Sequence, residues 1–175
     1  NKSEIVELLL DKIIKYAEDG DADAQVVLSS LYRWGNKVEQ DYKKSFSWAK
    51  RAAKQKHIPG QYILGIYYYQ GVGTKKNLKK AAKYFRLTAE KGYSSGQYSI
   101  GVMLIHGKGI KQDIPSGLKY LNEAAEKGHS FSLYELGCIY EKGKYADKDI
   151  KFTFDIKQAV KSKQRKCTAR ERCFL

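Results

Sequence analysis

Proline is nearly absent from this 175-residue chain, which carries only Pro59 and Pro115, while glycine occurs 15 times. Many helices joined by short glycine-marked turns would give that balance. No window approaches eighteen consecutive apolar residues, so no helical membrane span is expected. Cysteine is scarce as well. Cys167 and Cys173 lack the spacing of a zinc pattern, and no second cysteine pair accompanies them. A disulfide between the two is open to them in an oxidising compartment. Cys138 falls inside a helical stretch, where packing is expected. Asn1 to Glu4 show neither an initiator Met nor a signal-peptide pattern, as in a processed or trimmed chain.

Acidic residues are also short: 19 Asp and Glu face 33 Lys and Arg, for a net charge of +14. Such a charge attracts an acidic protein, nucleic acid or an anionic membrane surface. A Lys-rich surface also serves plain solubility. The hydrophobic fraction of 42% and aromatic fraction of 13% belong to a folded chain, long enough for one domain with a real core.

Sliding the chain against itself by 36 residues reveals what is there. Gly35, Gly71, Gly107 and Gly143 superpose, as do Leu28, Leu64, Ile100 and Leu136, and Tyr32, Tyr68, Leu104 and Tyr140. In the second half of each copy, Asp41, Asn77, Asp113 and Asp149 coincide, followed by Trp48, Tyr84, Tyr120 and Ile156. No insertion is needed.

Apolar residues at three- and four-residue steps predict two helices per copy. The first helices span 22–34, 58–70, 94–106 and 130–142, each closed by a left-handed glycine. The second span 42–55, 78–91, 114–127 and 150–162, with the Asp or Asn before each as N-cap. Pro115 fits the first turn of its helix. Residues 3–19 read as a second helix without its first, capping the stack. The domain is expected to run over 1–162, in copies of about 21–56, 57–92, 93–128 and 129–162, with a basic tail at 163–175. Gly65, Gly101 and Gly137 sit mid-helix, where glycine costs about 1 kcal/mol against Ala. Close approach to the second helices at Ala52, Ala53, Ala89, Ala124 and Ala125 is the expected gain.

The run Gly96-Gln97-Tyr98-Ser99-Ile100-Gly101, with Leu104, Gly107-Lys108-Gly109-Ile110, Asp113 and Ala124-Ala125-Glu126-Lys127-Gly128-His129, resembles the Sel-one-like repeat. That repeat is a 36-residue relative of the tetratricopeptide repeat. Gly60-Gln61-Tyr62, Leu64-Gly65, Tyr68, Gly71-Val72-Gly73 and Ala89-Glu90-Lys91-Gly92-Tyr93 resemble it too. The resemblance implies an all-α, right-handed α/α solenoid with the first helices on the concave side. It implies an adaptor or recognition role, usually bacterial and often periplasmic or secreted, with the cytoplasm as the alternative. The paired cysteines of one branch of the family are missing. Lys37 stands where Gly73 and Gly109 stand in later copies, so a different inter-helix turn is expected there.

Catalytic chemistry is not evident. His57 and His129 share a repeat position with Asp21 and Tyr93, which marks them as structural. His106 is expected at the surface. Asp19-Gly20-Asp21-Ala22-Asp23 has Ala24 and Ser30 where a calcium loop needs Gly and Glu. Gly71-Val72-Gly73 and Gly107-Lys108-Gly109 lack the rest of a phosphate-binding loop and read as turns. A non-enzymatic interaction module without metal or cofactor is therefore expected. Its partner-binding residues should be first-helix side chains that point away from the core: Val27, Trp34, Ile63, Tyr69, Ile105 and His106. Basic residues gather on and before the second helices, as in Lys43, Lys44, Lys50, Lys79, Lys80 and Lys83. They suggest an alternative role on nucleic acid or anionic lipid, helped by the tail.

Overall fold

The computed structural model of the protein describes residues 2–141. Among these residues there are eight helices and no strand: α1 (Lys2–Glu18), α2 (Ala22–Trp34), α3 (Tyr42–Lys54), α4 (Ile58–Gln70), α5 (Leu78–Glu90), α6 (Ser94–His106), α7 (Ile114–Glu126) and α8 (Ser130–Glu141). Each helix packs on the next along the chain, and α2 also touches α4. The first helices α2, α4, α6 and α8 thus form an inner layer, and α1, α3, α5 and α7 an outer one. This is the solenoid expected. The second helix of the fourth copy, Asp149, Gly143, Cys167, Cys173 and the 163–175 tail lie outside the described residues.

The helix ends follow from the repeated punctuation. The carboxylates of Asp41 and Asp113 and the amide oxygen of Asn77 accept the N–H three residues on, at 2.9, 3.1 and 2.9 Å. Each satisfies one of the orphan donors of a helix start. The Ser116 hydroxyl and amide beside the Asp113 carboxyl hold it below its ordinary pKa. Gly35, Gly71 and Gly107 close α2, α4 and α6 in the left-handed region, with φ of 65°, 84° and 65°.

The turn at Lys37 corrects the expectation of a different geometry. Lys37 has φ 65°, against 62° at Gly73 and 70° at Gly109, so the turn is kept and the lysine takes the strained conformation. Lys56 does the same, at φ 61°, where Gly20, Gly92 and Gly128 stand in the other copies. The backbone N–H of each of these four donates to the carbonyl three residues back. An L-residue in this region costs about 1–2 kcal/mol, partly offset by the greater chain entropy glycine loses. Lys37→Gly and Lys56→Gly should therefore each stabilise the fold by up to about 1 kcal/mol, read as a higher urea midpoint at unchanged slope.

Mid-helix glycines do bring the layers together, but not on the alanines expected. A Cβ on Gly65 would lie 2.8 Å from the Phe85 ring, and one on Gly101 would lie 3.0 Å from the Gly117 carbonyl oxygen. Ala52 is instead met by Gly60, and Thr88, at the equivalent position, by Gly96, each from the following inner helix. Two apolar clusters result. One joins α5 and α6 through Ala81, Phe85, Ile100 and Met103. The other joins α6, α7 and α8 through Ile105, Leu118, Leu121 and Leu136.

In the first copy a polar solution replaces the glycine. Ser29 Oγ donates to the Ser45 carbonyl at 2.8 Å, and Ser45 Oγ to the Ser29 carbonyl at 2.7 Å. Tyr67, 1% exposed, places its hydroxyl 2.9 and 2.8 Å from the two serine oxygens.

Candidate binding surface

Histidines at the copy junctions act as helix caps. Nδ1 of His57 accepts the Gly60 N–H, and Nδ1 of His129 accepts the Ser132 N–H, both at 3.3 Å. Asp21 does the same for α2 through the Ala24 N–H at 2.7 Å. The acidic run around Asp21 thus has a capping role. Burial holds the His129 imidazole below its ordinary pKa. The neutral ring is the form that accepts the N–H, so its stabilisation is full above the unfolded value of about pH 6.5 and is lost as pH falls toward the depressed folded value. Chemical denaturation of His129→Asn, which caps without titrating, should show a flatter acid limb than the parent below about pH 6.5.

The shared Gln is structural as well. Gln25 donates to the Ala17 carbonyl at 3.0 Å and accepts from Gln55 Nε2 at 3.0 Å. Gln97 donates to Glu123 at 2.7 Å and accepts from Lys127 Nζ at 3.2 Å. Gln55 and Lys127 each also donate to a turn carbonyl, of Gly20 and Gly92. The same clasp thus joins adjacent copies twice.

Side chains that the copies do not share line the inner layer. Val27 and Trp34 are exposed, at 43% and 60%. The Arg33 guanidinium lies 4.8 Å from the Trp34 ring and 5.2 Å from the Tyr67 ring, and donates to Gln70 Oε1 at 2.6 Å. Arginine is thereby fixed between the first two copies. Ile63 is half-buried. Tyr69 is half-buried against Phe85, and Lys108 Nζ reaches its hydroxyl at 3.4 Å. His106 is exposed, with Nε2 4.0 Å from Glu135 Oε1.

Ile105 departs from expectation. It is 1% exposed and belongs to the α6–α7–α8 core. Glycine at 117, where the earlier copies have Ser45 and Ala81, opens a space into which Ile105 turns. A Cβ on Gly117 would lie 2.6 Å from Ile105 Cγ1. The site is therefore corrected to exclude Ile105.

Two features escaped the sequence reading. Glu135 lies 29 positions from His106, and no local motif announces the pair. Tyr62 and Tyr98, with Val26 and Tyr134 at the same repeat position, form an aromatic row beside the junction residues. Tyr62 meets Tyr93 at 5.2 Å between ring centroids, and Tyr98 meets His129 at 5.1 Å. Burial pushes both phenols up, Tyr98 furthest, with the Glu135 carboxylate adding to the rise. The 36-residue shift does contain the signal for this row. Cys138, half-buried on α8, is in no disulfide among the described residues.

No helix among the described residues is long and apolar enough to cross a membrane. The chain is similar to a solved Sel1 repeat protein from Oxalobacter formigenes, at 29% identity and a TM-score of 0.74 over 89% of this chain. It spans 60% of the length of that protein. It is also similar in fold to cysteine rich protein B of Helicobacter pylori, at 21% identity and a TM-score of 0.58, over 75% of this chain and 95% of that one. No curated protein matches the sequence. The family description "Sel1 repeat" matches residues 22–57, 58–93, 94–129 and 130–154. With four consecutive copies over most of its length, the chain belongs to the Sel1 repeat family.

Proposed function

We propose that this protein is a non-enzymatic binding module that holds another protein against its inner, concave layer. Sel1 repeats are protein-interaction modules, and their proteins are typically non-catalytic scaffolds. The observation that carries the finer reading is Trp34. It projects from the inner layer, 60% exposed, with Arg33 over its ring and Val27 exposed on the same helix. Trp and Arg are the side chains that most often dominate binding energy when a partner covers them. The polar contacts Arg33–Gln70, Tyr69–Lys108 and His106–Glu135 each join one copy to the next. They hold the surface side chains in place before a partner arrives, which lowers the ordering cost of association. Val27, Trp34, Ile63, Tyr69 and His106 are the proposed contact residues. An adaptor in an envelope or secreted process, or an inhibitor that blocks another protein, would use such a wall.

The test is co-purification from the source organism with identification of bound protein by mass spectrometry, repeated with Trp34→Ala and Tyr69→Ala. Loss of the partner from both variants, with their helical content intact, supports the inner layer. Undiminished capture moves the site elsewhere.

A further inference from the structure

Between Asp41 and Glu90 the chain holds twelve Lys and Arg and no Asp or Glu. This stretch covers three consecutive helices, α3, α4 and α5. The middle one, on the inner layer, has no charged residue at all. The positive charge therefore lies on the two outer helices and the connecting loops. The arrangement repeats. Lys43, Lys44 and Lys50 of α3 superpose at the 36-residue shift on Lys79, Lys80 and Arg86 of α5, and all six are exposed. The corresponding positions are Pro115, Ser116 and Asn122 on α7, and Glu7, Leu8 and Ile14 on α1. The charge is thus a property of two adjacent copies and not of the outer layer in general. Among the described residues, the ion pair Lys44–Asp41 at 3.9 Å is the one such contact made by a basic side chain of α3 or α5. Like charges gathered without carboxylates repel one another, and an external anionic surface relieves that repulsion.

We infer that the outer faces of α3 and α5 form a contact surface for an anionic lipid membrane, leaving the inner layer free for a protein partner. Three observations favour lipid over nucleic acid. The charges are mostly lysine, and one of the few guanidiniums, Arg51, lies 4.2 Å over the Trp48 ring, so the forked donors that read base edges are scarce. The patch extends across the outer faces of two helices from successive copies, which makes it a two-dimensional field and not a track. Lipid headgroups diffuse laterally to match such a field, whereas a nucleic acid strand presents its phosphates in a line. Finally, Tyr42 and Leu87 stand exposed among the lysines, at 49% and 37%, and tyrosine suits the headgroup level of a bilayer.

The test is sedimentation of the full chain with vesicles of phosphatidylcholine containing phosphatidylserine, against vesicles of phosphatidylcholine alone, over a salt series. The parent should bind the anionic vesicles and not the neutral ones, and its binding should weaken as salt rises. The variant Lys43→Glu/Lys50→Glu/Lys79→Glu/Lys83→Glu should lose at least about tenfold in partition coefficient, with its far-UV circular dichroism unchanged because all four residues are exposed. The variant Lys163→Glu/Arg165→Glu/Lys166→Glu/Arg170→Glu changes net charge equally and should retain binding within about twofold. Absent binding by the parent, or equal loss in both variants, overturns the proposal. So does tighter binding to a duplex oligonucleotide, lost in the helix variant. None of these outcomes bears on the inner-layer reading, which is tested by Trp34 and Tyr69.

Discussion

Gly109→Ala is expected to destabilise the fold by about 2–5 kcal/mol, the sum of two separable costs. The first is conformational. Gly109 has φ 70°, where an L-residue costs about 1–2 kcal/mol. The second is steric. A Cβ there would press on the first residue of α5, 2.7 Å from the Leu78 carbonyl carbon and 2.9 Å from its oxygen, in contact also with its Cβ. Backbone of a neighbouring copy cannot swing aside as a long side chain can, so overpacking adds about 1–3 kcal/mol. Gly107→Ala separates the two. It has φ 65° but its Cβ would find Gln112 Cβ at an ordinary 3.4 Å, so only the conformational cost of about 1–2 kcal/mol should appear. Urea denaturation of the two variants measures the difference. Lys37 survives at the corresponding place because it is exposed, so its side chain has room to leave.

Tyr67→Ala should cost about 3–5 kcal/mol, the range for truncating a buried aromatic residue, while Tyr67→Phe should cost about 1 kcal/mol. The division follows from counting protons. Each serine of the Ser29–Ser45 pair already donates to the other's carbonyl, so Tyr67 must be the donor to the serine oxygens. Phenylalanine keeps the ring and loses that donor alone. The second copy solves the same junction with Gly65, Ala81 and Met103. Ser29→Gly/Ser45→Ala/Tyr67→Met should consequently be less destabilised than Ser45→Ala and Tyr67→Met would be if their costs simply added. Removing all partners together leaves no buried hydroxyl without one.

Helix positions were legible because the repeat period is unbroken and the punctuation is chemical. An Asp or Asn before each outer helix and a Gly after each inner one marked the ends to within a residue of α2 through α7. What did not carry over was anything that depends on which copy a residue sits in. Ile105 matches Tyr69 and Arg33 in register, yet it is buried because its copy alone has Gly117 beneath it. Periodicity assigns a residue to a face, but the neighbour's volume decides whether it stays there. Likewise, Ser29 holds the mid-helix place that Gly65 and Gly101 hold in later copies, yet it is a hydrogen-bonding member of a trio reaching 38 residues along the chain. The Glu135 partner of His106 was invisible for the same reason, since its spacing belongs to the stack and not to a helix.

The proposed surface was legible in outline. Phase along the first helices identified Val27, Trp34 and His106 as exposed, and they are. It missed the Tyr62 and Tyr98 row, because a three-and-four spacing does not distinguish the inner face from the edge beside the junctions. Stacking uses the shared glycines, glutamines and junction histidines, which leaves the unshared side chains as the proposed contacts.

The most direct measurement is the affinity of the co-purified partner, by titration calorimetry, for the parent, for Trp34→Ala/Tyr69→Ala, and for the outer-helix variant Lys43→Glu/Lys50→Glu/Lys79→Glu/Lys83→Glu. The inner-layer pair should weaken binding at least about a hundredfold, as expected when two anchor side chains are removed. The outer-helix variant should bind the partner as the parent does. Equal affinity for the parent and the Trp34→Ala/Tyr69→Ala protein would contradict a binding site on the inner layer.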